Sequence, residues 1–244
     1  MNPTKLSDLT GPPQVRALVY GGPGVGKTVF AGGSQTKRTL VVDIDIGSTS
    51  LHYFPGIRKD LVSVVQVRSA QALSDVVVKL AAAPSAYDLV VIDTLSEFQQ
   101  IYIGEICKSL KIDVPDQRAW GCILSFMSGL IRQMAQIPID QIFVAHETVG
   151  LDEQTKRQMF KPSFQGAFGA QYARHLDLIM RYLLVEKRVE DAIDKTKTHT
   201  VIERYLQCQR DPYSHAKDRF SALAMYEWPV VDDLFDKIRR SSQE

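Results

Sequence analysis

The chain has 244 residues, 45% of them hydrophobic, and a formal net charge of +1. That length suits one domain with a full hydrophobic core, and the balanced charge excludes any general attraction to nucleic acid or anionic membrane, so a nucleic-acid contact must come from a local patch. Cys107, Cys122 and Cys208 are widely spaced without a Cys-x-x-Cys pair, and no apolar run approaches the ~18 residues of a membrane span. Neither a zinc site, a disulfide framework nor a membrane helix is expected, and with no export leader the chain is expected in a reducing cytoplasm.

Residues 1–14, with Pro3, Pro12 and Pro13, read as an extended lead-in. Residues 15–20 form an apolar run of strand length that breaks into Gly21, Gly22, Pro23, Gly24, Val25 and Gly26 before Lys27 and Thr28. This is the phosphate-loop pattern of Gly, four residues, then Gly-Lys-Thr. Glycines let the backbone close around phosphate oxygens with its N–H groups inward, and the following helix start adds partial positive charge. Lys27 then reaches the β- and γ-phosphates, and Thr28 places a hydroxyl where magnesium sits. The residues expected to cradle a nucleotide are Gly21, Gly22, Gly24, Val25, Gly26, Lys27, Thr28 and Val29.

A short helix over 28–34 is expected to end at Gly32 and Gly33. Residues 39–46, Thr-Leu-Val-Val-Asp-Ile-Asp-Ile, read as a buried parallel strand on which Asp43 and Asp45, two apart, face the same way. A strand over 61–67 and a helix over 69–83, capped by Ser69, follow. Residues 87–93 are an apolar strand ending in Asp93, the form of a Walker B strand whose aspartate holds magnesium directly or through water. Two helices are counted before the next strand. The clearer spans 116–137, with Trp120, Ile123, Leu124, Met127, Leu130, Ile131 and Met134 as one apolar stripe.

Residues 141–145 form the next strand, ending at His146 and Glu147. The stretch 148–168 is polar, with Lys156, Arg157 and Lys161 among Met159, Phe160, Phe164 and Phe168, and it lacks a clean period. Its position marks it as a mobile loop or a hairpin at the edge where ligands bind in open α/β sheets. Strands over 176–185 and 200–207 and a helix over 229–240 complete the chain. The alternation predicts a single α/β domain across 1–244: a mostly parallel sheet with helices on both faces and a C-terminal strand hairpin.

With these pieces placed, the sequence resembles the RecA-like P-loop ATPases, and more narrowly the phage-encoded Sak-type single-strand annealing ATPases. The resemblance rests on residues 20–28, Leu-Val-Val-Asp-Ile-Asp (40–45), Tyr-Asp-Leu-Val-Val-Ile-Asp-Thr-Leu-Ser-Glu (87–97), Phe-Val-Ala-His-Glu (143–147) and Ala-Lys-Asp-Arg (216–219). It implies an ATPase using ATP and Mg²⁺, stimulated by single-stranded DNA and acting in phage recombination within the host bacterial cytoplasm. It also implies self-assembly into a ring or filament, and a replication or recombination protein as a further partner.

By the same resemblance, Asp45 matches the carboxylate that activates the attacking water, although a glutamate is usual there, and Glu97 competes for that role. His146 matches the polar sensor of the γ-phosphate; a strand-end hydrogen bond would also explain a histidine there. Residues 148–165 match the DNA-contacting loop, in which Phe160 or Phe164 would stack on bases unless they pack inward. Lys217 and Arg219 match a cation pair that reaches the neighbouring subunit's γ-phosphate, the other reading being a solvated pair tied to Asp218 and Asp211. A nucleotide-switched loader with little turnover is the competing function. A small-molecule kinase would keep the phosphate loop, but 148–168 makes a poor arginine-rich lid.

Overall fold

The computed structural model describes residues 14–151, 156–190 and 198–241. In chain order the first half holds β1 (Arg16–Gly21), α1 (Lys27–Ala31), β2 (Thr39–Asp43), α2 (Thr49–Tyr53), β3 (Val62–Gln66), α3 (Ala70–Ala82), β4 (Leu89–Asp93) and α4 (Leu95–Leu110). The second half holds α5 (Gln117–Met134), β5 (Asp140–Leu151), β6 (Gln158–Pro162), α6 (Phe168–Gln171), β7 (Leu178–Glu190), β8 (Thr198–Gln207), β9 (Lys217–Asp218), β10 (Tyr226–Glu227) and α7 (Val231–Ser241).

The strands lie in the order β10-β8-β7-β1-β5-β4-β2-β3, parallel from β7 to β3 and antiparallel from β7 to β10. β6 pairs antiparallel with the outer half of β5, and β9 with the start of β7. β5 therefore separates the phosphate-loop strand β1 from β4. The expected architecture is present: a mostly parallel sheet between two helical layers, with a C-terminal antiparallel hairpin.

Burial on both faces explains why the central strands read as unbroken apolar runs. Ala17 and Val19 of β1 point into one core with α1 and α7, whereas Leu18 and Tyr20 point into the other with α3, α4 and α5. α5 shows the cause most plainly. Asp116 caps it by accepting from the Ala119 amide at 2.8 Å, and Ile123, Met127, Leu130, Ile131 and Met134 are buried at helical spacing. Trp120 and Leu124 lie at the margin of that stripe, half-buried. Ser69 caps α3 as expected, accepting from the Ala72 amide at 3.2 Å.

Several boundaries differ from the sequence pattern. α1 stops at Ala31, where the Gly33 amide tightens to the Phe30 carbonyl at 3.2 Å, a turn that needs glycine because a Cβ on Gly33 would meet the Val29 carbonyl oxygen at 2.4 Å. β2 ends at Asp43, where Arg68 donates to the carbonyls of Asp43, Ile44 and Val67, so Asp45 leaves the strand instead of sharing its face. α4 is capped by the Thr94 hydroxyl and closed by Lys111 in the left-handed region. The stretch 148–168 is largely a hairpin, β5 running on to Leu151 and β6 returning, with residues 152–155 outside the described set. Of the lead-in, residues 1–13 are likewise outside it. Among the described residues no helix is long and apolar enough to cross a membrane.

Candidate nucleotide site

β1 delivers its last residue, Gly21, to the C-terminal edge of the sheet between β5 and β7. Gly24 and Gly26 take φ of +71° and +111°, a left-handed backbone that a side chain would strain. A Cβ on Gly21 would stand 2.7 Å from the Tyr182 carbonyl oxygen, so the loop also needs glycine to lie flat on β7. Because α1 has only five residues, the cradle for an anion comes from the loop's own N–H groups more than from a long helix.

Lys27 closes the loop from inside, its ammonium donating to the carbonyls of Gly21 at 3.0 Å and Gly22 at 2.7 Å while only 7% exposed. Burial lowers its pKa, and the nearby carboxylates Asp93, Glu147 and Asp45 oppose that effect. Three acids thus face the lysine from three elements, and Glu97 is not among them.

The parallel register of β2 with β4 sets Asp43 beside Asp93, and both are fully buried. Asp43 accepts one bond from the Ser48 hydroxyl at 2.5 Å and has its other oxygen unpartnered. Neither oxygen of Asp93 closes a hydrogen bond. Burial pushes Asp93 up to about 6; the Thr28 hydroxyl, close enough to pull it down as a donor would but outside hydrogen-bond geometry, opposes this, Asp45 and Asp43 push it up, and Lys27 pulls it down. An uncompensated buried carboxylate is costly, so its presence points to a cationic ligand.

Gly47 marks where that ligand fits. A Cβ there would stand 2.8 Å from Asp45 Oδ1 and 3.6 Å from both Asp93 Oδ2 and Thr28 Oγ1, so oxygens from three elements surround a space that only glycine leaves open. Hard oxygen donors beside a phosphate loop suit magnesium, which takes one or two protein ligands and completes its shell with phosphate and water. Among the described residues no cluster of three or more His, Cys, Asp or Glu could hold a metal ion alone, in keeping with that division. Asp45 itself is exposed and accepts from the Gly47 amide at 3.0 Å. Among the described residues, the buried acids with an unpartnered oxygen are Asp43, on one oxygen, and Asp93, on both.

His146 ends the inner part of β5 in register with Gly21; its amide donates to the Ser96 hydroxyl at 2.9 Å, and its carbonyl accepts from the Ser163 amide at 2.8 Å. Beside the loop lies a cavity of about 510 Å³ whose walls include Val29, Phe30, Phe54, Ile57, Tyr182 and Val230. Arg204 of β8 borders it and donates to the Val25 carbonyl at 3.3 Å.

A family model described as an AAA domain matches residues 14–220. The chain belongs to this family. The AAA domain match runs from two residues before β1 to just past β9, and it makes the phosphate loop that of a P-loop ATPase domain, with nucleotide binding as its family-level property. No curated protein matches the chain.

Other residues singled out in the sequence fall elsewhere in the AAA domain. Lys217 donates to the carbonyls of Ala173 at 2.9 Å and Leu176 at 2.7 Å, and Arg219 to Asp177 at 2.7 Å. Both lie toward the N-terminal end of β7, away from this chain's own phosphate loop, and Arg219 shares with Arg16 the buried carboxylate of Asp177. Their partners are therefore not Asp218 and Asp211. Phe160 lies under the Arg181 guanidinium at 3.5 Å, and Phe164 packs on Phe168 and Tyr172 at 5.0 and 5.2 Å, so both phenylalanines are engaged inward.

Glu147 and Arg181 escaped sequence reasoning as site residues. Their ion pair, 2.6 Å, bridges from β5 to β7 across the end of β1, directly below the loop. The available signal was a single arginine interrupting the apolar run 176–185. Tyr20 lies in the same layer, its single hydroxyl proton shared between the Phe160 and His215 carbonyls at 3.1 and 3.0 Å, and thereby ties the residue before the loop to β6.

Proposed function

We propose that this AAA domain hydrolyses ATP with magnesium and acts on single-stranded DNA in recombination, by annealing or strand exchange, in the manner of the phage annealing ATPases it resembles. The observation that carries the ATPase half is the buried, unpartnered Asp93 facing Thr28 and Lys27 beneath a glycine loop. Thr28 and Asp93 would hold the magnesium, which supplies charge neutralisation across the phosphates. Lys27 exchanges the carbonyls of Gly21 and Gly22 for phosphate oxygens and stabilises the charge that grows as the γ-phosphoryl departs. Asp45, exposed at the rim and acting electrostatically on Lys27, orients the attacking water and accepts its proton.

Glu97 is the competitor for that last step. Asp45→Asn is expected to lower kcat by about a hundredfold or more while leaving ATP affinity within a few-fold, and Glu97→Gln to change kcat only a few-fold. Single-turnover hydrolysis of both variants checks this, and the opposite ranking would hand the role to Glu97.

The DNA half rests on the resemblance and on the β5–β6 hairpin, which continues from His146 and carries Val149 and Leu151 exposed at 51% and 65%. Assembly into a ring or filament belongs to the same proposal; Lys217 and Arg219 would serve a neighbouring copy by leaving Ala173, Leu176 and Asp177. The inward-facing phenylalanines and the net charge of +1 favour the second reading, a nucleotide switch that binds a replication protein. ATP hydrolysis measured with and without single-stranded DNA at two salt concentrations separates the two. DNA stimulation that fades at high salt is expected, because phosphate contacts release counterions. Hydrolysis indifferent to DNA would transfer the proposal to the switch.

A further inference from the structure

At the end of the cavity away from the phosphate loop, one polar side chain has its orientation dictated by its neighbours. Gln35 follows α1, and its side-chain nitrogen donates to the carbonyls of Gly33 at 3.0 Å and Gly56 at 2.9 Å. Two carbonyl partners admit only the nitrogen on that side, so the amide orientation is determined. Oε1 is left as an acceptor with no hydrogen-bond partner among the described residues. The backbone beneath is equally held: Asp232 of α7 accepts from the Gln35 amide at 2.7 Å and from the Ser34 hydroxyl at 2.6 Å.

Gln35, Gly33 and Gly56 all border the cavity that begins at Gly24 and Gly26 of the phosphate loop. A nucleotide whose phosphates occupy the loop directs its base along α1 into this space, between the apolar walls of Phe30, Phe54 and Ile57. None of the described residues bordering the cavity is an Asp or Glu, the side-chain acceptor that suits the N1–H and 2-amino groups of guanine. Arg204, a donor, sits at the phosphate end against the Val25 carbonyl. Among the described side chains that border the cavity beyond α1, Gln35 is the one with a fixed polar group, and its uncommitted atom accepts.

We propose that Gln35 is a specificity-determining residue that selects adenine over 6-oxopurines by accepting a hydrogen bond from the adenine 6-amino group. Gln35 is exposed, so its acceptor is open to a ligand, and a 6-oxo group in the same place would set acceptor against acceptor where adenine closes a hydrogen bond. The inference rests on the phosphate loop being the nucleotide site.

Equilibrium titration of ADP, IDP and GDP with Mg²⁺ into the full chain tests it. ADP and IDP share sugar and phosphates and differ at the purine 6-position. The intact protein is expected to bind ADP about tenfold more tightly than IDP, the scale of one hydrogen bond plus an avoided acceptor clash. In Gln35→Lys the ammonium keeps the tie to the Gly33 and Gly56 carbonyls but offers no acceptor. The ADP to IDP ratio should then collapse toward one or invert. Equal affinities in the intact protein, tighter GDP than ADP, or an unchanged ratio in the variant would each overturn the proposal while leaving the nucleotide site standing. Failure of the folded protein to bind any of the three would overturn the site itself. The ratio in the intact protein decides the matter even where the variant folds poorly.

Discussion

Lys27→Ala is expected to lower ATP hydrolysis by about two to three orders of magnitude, the loss typical of removing one preorganised charge from a phosphoryl-transfer site. The lysine sits among Asp93 of β4, Glu147 of β5 and Asp45 of the β2–α2 turn, and of these Glu147 is already paired with Arg181, which leaves Asp93 and Asp45 to Lys27. Without it, an incoming triphosphate meets Asp93 and Asp45 with the loop's own cation gone, so nucleotide affinity falls along with the rate. The fold should survive, because the bonds lost are two side-chain contacts to the Gly21 and Gly22 carbonyls of the loop, and no strand or helix hydrogen bond goes with them. Steady-state hydrolysis beside a thermal melt checks both parts. A variant with undiminished turnover would remove the phosphate loop from the mechanism.

Asp93→Asn should move activity and stability in opposite directions. Activity is expected to drop by about a hundredfold or more, since the remaining first-turn ligand Thr28 carries no charge to hold the metal. The fold without nucleotide or metal, however, should gain about 1–3 kcal/mol at pH 7.5, because a buried carboxylate with no partner on either oxygen becomes neutral. The sign follows from linkage. Asp93 in the folded chain titrates at about 6, above its ordinary value of 3.8, so folding takes up a proton between those values. Wild-type stability therefore declines from this group as pH rises through that window, and then stays level above about 6. The variant lacks the decline, so the two melting temperatures should agree in acid and separate between about pH 4 and 6. Denaturation at several pH values in a chelator reads this directly. A constant offset across the range would assign the gain to packing instead of charge.

Much of the site was legible because its signals are local. A glycine at φ +111°, a lysine one residue on and an apolar strand before them need no distant partner to be recognised, and the same holds for Asp93 at the end of Leu89–Ile92. α5 announced itself through its cap and its stripe, since helix burial repeats within a few residues. β5, by contrast, continued past His146, where polarity left a mobile loop and a hairpin both open. Its outer half pairs with β6, and alternation is weak in a ribbon that is half-exposed on both faces.

The sequence by itself determined the phosphate loop, the acidic strand end and the alternation that makes a parallel α/β sheet, because each arises from neighbouring residues with a fixed backbone period. Only the tertiary structure decided that β5 lies between β1 and β4, that Asp43 is buried while Asp45 is exposed, and that Glu147 meets Arg181 beneath the loop. It also decided that Lys217 and Arg219 spend their donors on the chain's own carbonyls and on Asp177, and that Gln35 faces a cavity with its acceptor uncommitted. These facts depend on which strands become neighbours and how closely they approach. That choice is made by the summed burial of two core faces, which no single stretch of chain encodes.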